Sequence, residues 1–176
     1  MTSYVALLRA VNLEPVNQMP KGVLTGVATQ LGFRRARTYL ASGNLLFDAD
    51  ADEAEVKAAL EAGFAAYAGN AIPVMIRSAE EIAAIVADNP FPTAPGNRVV
   101  AIVLDVAPPS DALAHARLVA GEEMALGARE IYVRYTDTGM GQSRLVIPAA
   151  KLGTGRNMNT IAKLAELASV RRPSLE

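Results

Sequence analysis

The chain has 176 residues, 51% of them apolar, with a net charge of −1, no cysteine and one histidine. That length fits one full domain or two small ones, and the apolar share is enough to bury a core. The composition excludes disulfides, thiolate nucleophiles and sulfur-bound zinc, and it provides no whole-surface basic footprint for nucleic acid.

Residues 4–11 read as a strand whose near-continuous apolar run implies burial on both faces. Residues 12–18 form a loop, and Pro20 suits the first turn of a helix, where its missing N–H has no partner to lose. Val23, Val27 and Leu31 recur every four residues and give that helix an apolar stripe, with Gly32 as its C-cap. Residues 37–41 and 45–47 read as short strands joined by a tight turn at Ser42-Gly43-Asn44. Asp50, Asp52 and Glu53 open the next helix, where acids complement the macrodipole. Its expected buried face is Val56, Leu60, Phe64 and Tyr67, and Gly69-Asn70 stops it. Residues 72–77 form a strand. Ser78 then caps a short helix, with Glu81 at capping-box spacing and Ile82, Ile85 and Val86 inward. The core of this order is the ferredoxin-like pattern, two helices on one face of a four-stranded antiparallel sheet.

Three prolines between residues 90 and 95 stiffen the chain and mark the boundary, giving halves at 1–89 and 98–176 with a linker at 90–97. Phe91 is expected to tuck into a core. The second half opens with a strand over 99–106, stopped by Pro108-Pro109, and a helix from Ser110 or Asp111 to about residue 120. Residues 130–136 alternate Ile131, Val133 and Tyr135 against Tyr132 and Arg134. Asp137-Thr138-Gly139-Met140-Gly141 is a glycine turn from which residues 143–147 pair back as a hairpin. Pro148 starts a helical turn, residues 153–157 form a loop, and the last helix turns Ile161, Leu164 and Ala168 inward. The expected fold class is α+β, with two ferredoxin-like (βαββαβ-type) halves, antiparallel sheets and a C-terminal helix. No fourth strand stands out in the second half, and the repeat is one of pattern, not of residues. The chain start lacks the basic leader, apolar stretch and cleavage site of a signal peptide, and the longest apolar run, Val99 to Leu104, is too short to cross a bilayer. A cytoplasmic protein with no membrane partner is expected.

Charge is uneven, −3 over residues 1–97 and +2 over 98–176. Within 144–172 stand Arg144, Lys151, Arg156, Lys163, Arg171 and Arg172 against Glu166 alone, which is either a local positive field or an ordinary solvated face. Four clusters carry polar chemistry. Arg9-Ala10-Val11-Asn12 puts a charge in an apolar strand; Arg9 either reaches an anion with its fork of donors or pairs internally. Ser42-Gly43-Asn44 offers a hydroxyl and an amide, although any hairpin uses such residues. Gly139-Met140-Gly141-Gln142-Ser143 is a glycine turn too short for a P-loop. Gly153-Thr154-Gly155-Arg156-Asn157-Met158-Asn159-Thr160 opens the last helix. Free N–H groups there, with Arg156, make an anion site available; Asn157, Asn159 and Thr160 supply amide and hydroxyl groups, and two asparagines with an arginine exceed what capping needs.

Other chemistries find little support. His115, mid-helix between two alanines, reads as a surface histidine, so a Ser-His-Asp triad is not expected and no general base stands out. No metal is expected. Asp48, Asp50, Asp52 and Glu53 lack the glycine and terminal glutamate of a calcium loop. No dinucleotide fingerprint follows either long strand, and no cofactor is specified.

Four stretches taken together carry a family likeness: Tyr4-Val5-Ala6-Leu7-Leu8-Arg9-Ala10-Val11-Asn12; Leu31-Gly32-Phe33; Thr38-Tyr39-Leu40-Ala41-Ser42-Gly43-Asn44-Leu45-Leu46-Phe47; and Gly155-Arg156-Asn157-Met158-Asn159-Thr160-Ile161-Ala162-Lys163-Leu164. In this order they resemble the bacterial domain-of-unknown-function family 1697. The resemblance implies an α+β fold with two ferredoxin-like halves and no established activity. The chain departs from the family's motifs at Ala10, usually glycine; at Glu14-Pro15, usually a glycine pair; at Val16, usually glycine or lysine; and at Met158, usually tryptophan. Loss of that tryptophan removes a stacking surface.

The leading expectation is a site for a small anionic or nucleotide-like ligand formed by the first strand's end, the turn at 42–44 and the start of the last helix. Arg9 and Arg156 hold its charge; Asn12, Ser42, Gly43, Asn44, Asn157, Asn159 and Thr160 fix its orientation. Whether a reaction follows is left open. One alternative is a single-stranded nucleic-acid module stacking bases on Tyr39, Tyr132 and Tyr135. The other is a structural or interaction protein, a homodimer through a sheet edge or an apolar helix face, with no ligand. A ferredoxin-like scaffold does not choose between them.

Overall fold

Among the described residues of the computed structural model, eight strands form two four-stranded antiparallel sheets and four α-helices accompany them, so the protein is α+β. The structure describes residues 1–12, 18–136 and 139–170. Residues 13–17 of the first loop, Asp137 and Thr138 of the glycine turn, and Arg171 and Arg172 of the basic segment lie outside the described residues. The chain divides into two compact units: Met1–Ile82 together with the chain from Lys163, and Ala83–Ala162.

In the first unit β1 (Thr2–Leu8) is central, pairing with β3 (Asn44–Ala49) on one side and β4 (Val74–Ser78) on the other. Val5, Ala6 and Leu7 have no exposed surface, as the unbroken apolar run implies. β2 (Arg34–Thr38) completes the order β2-β3-β1-β4, which agrees with the ferredoxin-like arrangement. One face, through Tyr4, Ala6, Leu8, Leu45 and Phe47, packs on α1 (Lys21–Gln30) and α2 (Glu53–Ala68). In α1 the buried residues are Leu24 and Ala28, one step round from the expected stripe; Leu31 is exposed, because it already lies at the helix end. α2 begins with a full capping box, Asp52 accepting from the Glu55 N–H and Glu55 accepting from the Asp52 N–H, and ends on left-handed Gly69. Val56, Leu60 and Phe64 are buried as expected, but Tyr67 is 53% exposed, because the stripe from Phe64 runs out at the last turn. Lys57 and Glu61 fasten α2 to the start of β4: Lys57 donates to the Val74 carbonyl and Glu61 accepts from the Val74 N–H at 3.0 Å.

β4 leads into α3 (Ala79–Ala87) through the predicted cap. The Glu81 N–H donates to Ser78 Oγ at 3.2 Å and the Ser78 N–H to Glu81 Oε2 at 2.8 Å. The division between the units falls within α3, and again within α4 (Met158–Ser169).

In the second unit β5 (Val99–Val103) is central, with β7 (Glu130–Arg134) and β8 (Thr154–Asn157) beside it and β6 (Glu123–Leu126) outside β7. This corrects three expectations. The partner of the 130–136 strand is β6, not residues 143–147, which make only an isolated bridge between Val146 and Arg117. That bridge uses the backbone of Arg117, so the expected helix to residue 120 reduces to a 3₁₀ turn at Ala112–His115. Residues 153–157 are mostly strand, since β5 offers a free edge with which they pair. The second half thus has its fourth strand but no α-helix between β5 and β6. One face of its sheet packs Leu104, Ile131, Val133 and Ile147 together. On the other, Tyr132 is buried and its hydroxyl donates to the Ile85 carbonyl at 2.8 Å. Phe91 is half-buried, and Ile161, Leu164 and Ala168 of α4 are buried as expected.

Gly43 and Gly69 share a left-handed backbone, φ +84° and +76°, but a Cβ on Gly43 would lie 2.5 Å from Val11 Cγ2 and 3.0 Å from Leu8 Cβ, whereas one on Gly69 meets open space. Gly69→Ala is expected to cost about 1–2 kcal/mol, the left-handed penalty alone. Gly43→Ala adds an overpacking term and is expected to cost about 2–4 kcal/mol in urea unfolding; equal losses for the two would contradict the close approach. Asp48 supplies a pH test. Burial pushes its carboxyl up, but hydrogen bonds from Arg35 and Ser3 and the charges of Arg35 and Arg37 outweigh that and hold it below its usual value. A depressed folded pKa stabilises above the unfolded value near 3.8 and is lost as pH falls. Wild type is therefore expected to lose stability more steeply than Asp48→Asn between about pH 5 and pH 2; parallel curves would remove Asp48 from the acid response.

Candidate functional site

β1 ends at Leu8, so Arg9 stands beyond the strand and not within it. Its N–H donates to the Pro73 carbonyl at 2.9 Å, and its side chain is half-buried. The next residues turn sharply: Ala10 and Asn12 both have φ +54°. Asn12 braces that turn. Its Oδ1 accepts from the Met19 N–H at 2.6 Å, and its Nδ2 donates to the Ala41 carbonyl at 2.5 Å. One side chain thus ties the two flanks of the first loop to the turn between β2 and β3.

Within that turn Leu40 has φ +60° and Gly43 φ +84°. Asn44 is fully buried; its Nδ2 donates to the Tyr39 carbonyl at 2.8 Å and to Ser42 Oγ at 3.0 Å. The Leu8 N–H donates to the Gly43 carbonyl at 2.8 Å. The structure therefore brings Arg9, Asn12, Ser42, Gly43 and Asn44 together in the first unit. Asn12 and Asn44 hold backbone there, while Ser42 and the apolar side chain of Leu40 are exposed.

Arg156, Asn157, Asn159 and Thr160 come together in the second unit, in a different form from the one expected. Arg156 lies in β8 opposite Ala101, 7% exposed, not in a loop opening the helix. Its Nη1 donates to Thr154 Oγ1 at 2.7 Å and to the Gly155 carbonyl at 2.9 Å. Burial draws its pKa down to about 10, the signature of a charge taken out of water. Asn157 caps α4, its Oδ1 accepting from the Thr160 N–H at 3.0 Å. Thr160 is buried, and the exposed Asn159 sits against Gly96.

His115 is exposed and pairs with Asp111 at 3.2 Å, as a surface histidine does. Among the described residues no cluster of three or more acidic or histidine side chains is placed to hold a metal ion, and no helix is long and apolar enough to cross a membrane.

Arg77 carries no motif in the sequence. It lies in β4 opposite Val5, 2% exposed, with Nη1 donating to the Ile76 carbonyl at 2.9 Å. β4 and β8 hold the same place in their sheets. Each carries a buried arginine bonded to the carbonyl before it and followed by a helix cap, Ser78 or Asn157. The repeat therefore has a residue-level trace, and its signal is an arginine and a capping residue at the end of a strand.

A family model described as protein of unknown function (DUF1697) matches residues 1–132. The chain belongs to this family. The match holds the first three of the four stretches that carry the likeness and stops before Gly155. Among solved structures, the DUF1697 chain is similar to the conserved bacterial protein SP0830 from Streptococcus pneumoniae, with a TM-score of 0.79 over 96% of this chain and 99% of that one. At 20% identity the likeness is one of fold. No curated protein matches.

The paired test of this corner uses opposite signs. Asn12→Ala strands the Met19 N–H and the Ala41 carbonyl and is expected to cost about 1–3 kcal/mol. Ala10→Gly relieves a left-handed alanine and is expected to gain about 0.5–1 kcal/mol after glycine's entropy is charged against it. Urea unfolding reads both, and a destabilised Ala10→Gly would show that no strain is held at residue 10.

Proposed function

We propose that this DUF1697 protein binds a small anionic or nucleotide-like ligand at the corner made by the end of β1 and the β2–β3 turn. The observation that carries the reading is a concentration of unfavourable backbone. Of five described non-glycine residues with positive φ, three (Ala10, Asn12 and Leu40) stand at this corner. Such conformations each cost on the order of 1–3 kcal/mol and cluster where the chain is shaped for a ligand. Asn12 and Asn44 brace the shape. Arg9 supplies charge, Ser42 a hydroxyl, and Leu40, 46% exposed, an apolar surface for the body of the ligand. Arg156 and Asn157, engaged within the second unit, are read as framework.

The nucleic-acid alternative is weakened at one of its three aromatics, since Tyr132 is buried with its hydroxyl bonded to a carbonyl and offers no face for stacking.

A thermal-shift screen of nucleotides, phosphorylated metabolites and short single-stranded RNA tests the proposal, using wild type, Arg9→Ala and Arg156→Met. A ligand at about 100 times its Kd adds roughly 2.7 kcal/mol, which for a chain of this size is a rise of roughly 5–10 °C. The expected result is a nucleotide or phosphate shift that Arg9→Ala abolishes and Arg156→Met retains. A shift that only Arg156→Met abolishes moves the site to the start of α4, and silence across all compounds rejects the reading. A shift with RNA alone that fades steeply with salt favours the nucleic-acid alternative.

A further inference from the structure

Arg37 of β2 pairs with Leu46 of β3 and so shares its face of the sheet, the one turned away from α1 and α2. Its guanidinium serves two environments. Nη2 donates to the Leu167 carbonyl, one of the last four of α4, which have no partner within their own helix. Nε is sealed from solvent and meets no acceptor among the described residues. Beside it is a small cavity of about 10 Å³, whose lining includes Ser3, Arg35, Arg37, Leu46, Asp48 and Ala168, all within the first unit. That lining holds an acceptor with capacity to spare. Asp48 takes Ser3 Oγ on Oδ1 at 2.7 Å and Arg35 Nε on Oδ2, and each carboxylate oxygen has a lone pair left. The charge of Arg37 is among those that hold the Asp48 carboxyl below its usual value, so the two groups interact.

We infer that this cavity binds one ordered water, which accepts from Arg37 Nε and donates to the Asp48 carboxylate. Size sets the class of ligand: the space for a single water is about 10–15 Å³, and no phosphate or metabolite fits in it. Charge decides among the small species. A chloride placed to satisfy Nε meets the Asp48 carboxylate, and a sodium meets the guanidinium groups of Arg35 and Arg37. A neutral molecule with both lone pairs and protons satisfies the donor and the acceptor together. An enclosed N–H without an acceptor has given up its hydration for nothing, and a buried water restores it. The water completes a bracket. Arg37 reaches α4 through Nη2 and β3 through Nε, and Asp48 carries the link on to Arg35 and Ser3. The site uses none of Arg9, Asn12 or residues 42–44, and it does not depend on the ligand proposed for that corner.

Two measurements on the full chain test this. A high-resolution crystal structure is expected to show a water within hydrogen-bond distance of both Arg37 Nε and an Asp48 oxygen. In the isotope-labelled chain, the Arg37 Nε–H signal, assigned by its loss in Arg37→Lys, is expected to give a cross-peak to water with the NOE and ROE signs of a long-lived contact. Ala168→Val puts two more methyl groups against the cavity. The folded variant is expected to keep the Arg37 Nε–H signal and to lose its cross-peak to water. Should that variant fail to fold, the wild-type crystal structure decides alone. Direct bonding of Nε to Asp48 or to a protein carbonyl, an ion in the place of the water, or a cross-peak that survives in folded Ala168→Val would each overturn the inference.

Discussion

Each sheet depends on a central strand with a partner on both sides and little or no solvent face. β1 is paired by β3 and β4, and β5 by β7 and β8, so their peptide groups are satisfied by neighbours instead of water. Burying a valine or leucine there is worth roughly 1.5–3 kcal/mol, which polar residues at the same positions would forfeit. The outer strands β2 and β6 carry exposed charge. β2 carries Arg34 and Arg35 in the open and is bulged between Arg34 and Arg37, and the outer strand β6 pairs Glu123 with Arg134 at 2.5 Å. A bulged, charged edge is a poor template for further strand pairing, which keeps a sheet of four strands from growing.

That constraint explains which elements were legible from the chain. β1 announced itself because a doubly buried strand is a run of apolar residues, and α2 because an acid-rich cap, a four-residue stripe and a terminal glycine all agree. The second unit was harder to read because its structure rests on long-range pairing. Glu123–Leu126 is four residues with no alternation, and only its neighbour β7 makes it a strand. Gly153 and Gly155 mark a loop by local rules, yet the open edge of β5 draws Thr154–Asn157 into the sheet. Ala112 onward has helical composition, but the bridge at Arg117 takes the backbone groups that a longer helix needs. In each place a partner far along the chain overrode local preference.

The polar clusters show the same effect at a smaller scale. Asn12 and Asn44 carry the groups a ligand site needs, and the sequence cannot distinguish an amide facing a ligand from one facing backbone. A sharp turn beside a core leaves N–H and carbonyl groups that water reaches poorly, so asparagine is selected to satisfy them. Bonds from Leu8 to Gly43 and from Asn12 to Ala41 hold the end of β1 beside residues 42–44. What the sequence did not convey was the division of labour there, with the asparagines holding the frame and the left-handed residues setting its shape.

The two buried arginines also alter the charge balance. A guanidinium loses much hydration on burial and is tolerated only where its donors find acceptors. Arg77 and Arg156 meet that need in part with the carbonyl of the preceding residue. The next residue, Ser78 or Asn157, ends the strand and caps the helix that follows, which fixes the chain direction just after the arginine. The same device at the same strand position in both sheets means that an arginine in this protein is as readily a structural bracket as a surface charge. The excess of basic residues over 144–172 therefore overstates the field that a ligand meets, since Arg156 lies inside. Exposed cations of the second unit stand both on its loops, as Arg117 and Arg144 do, and in β7 at Arg134.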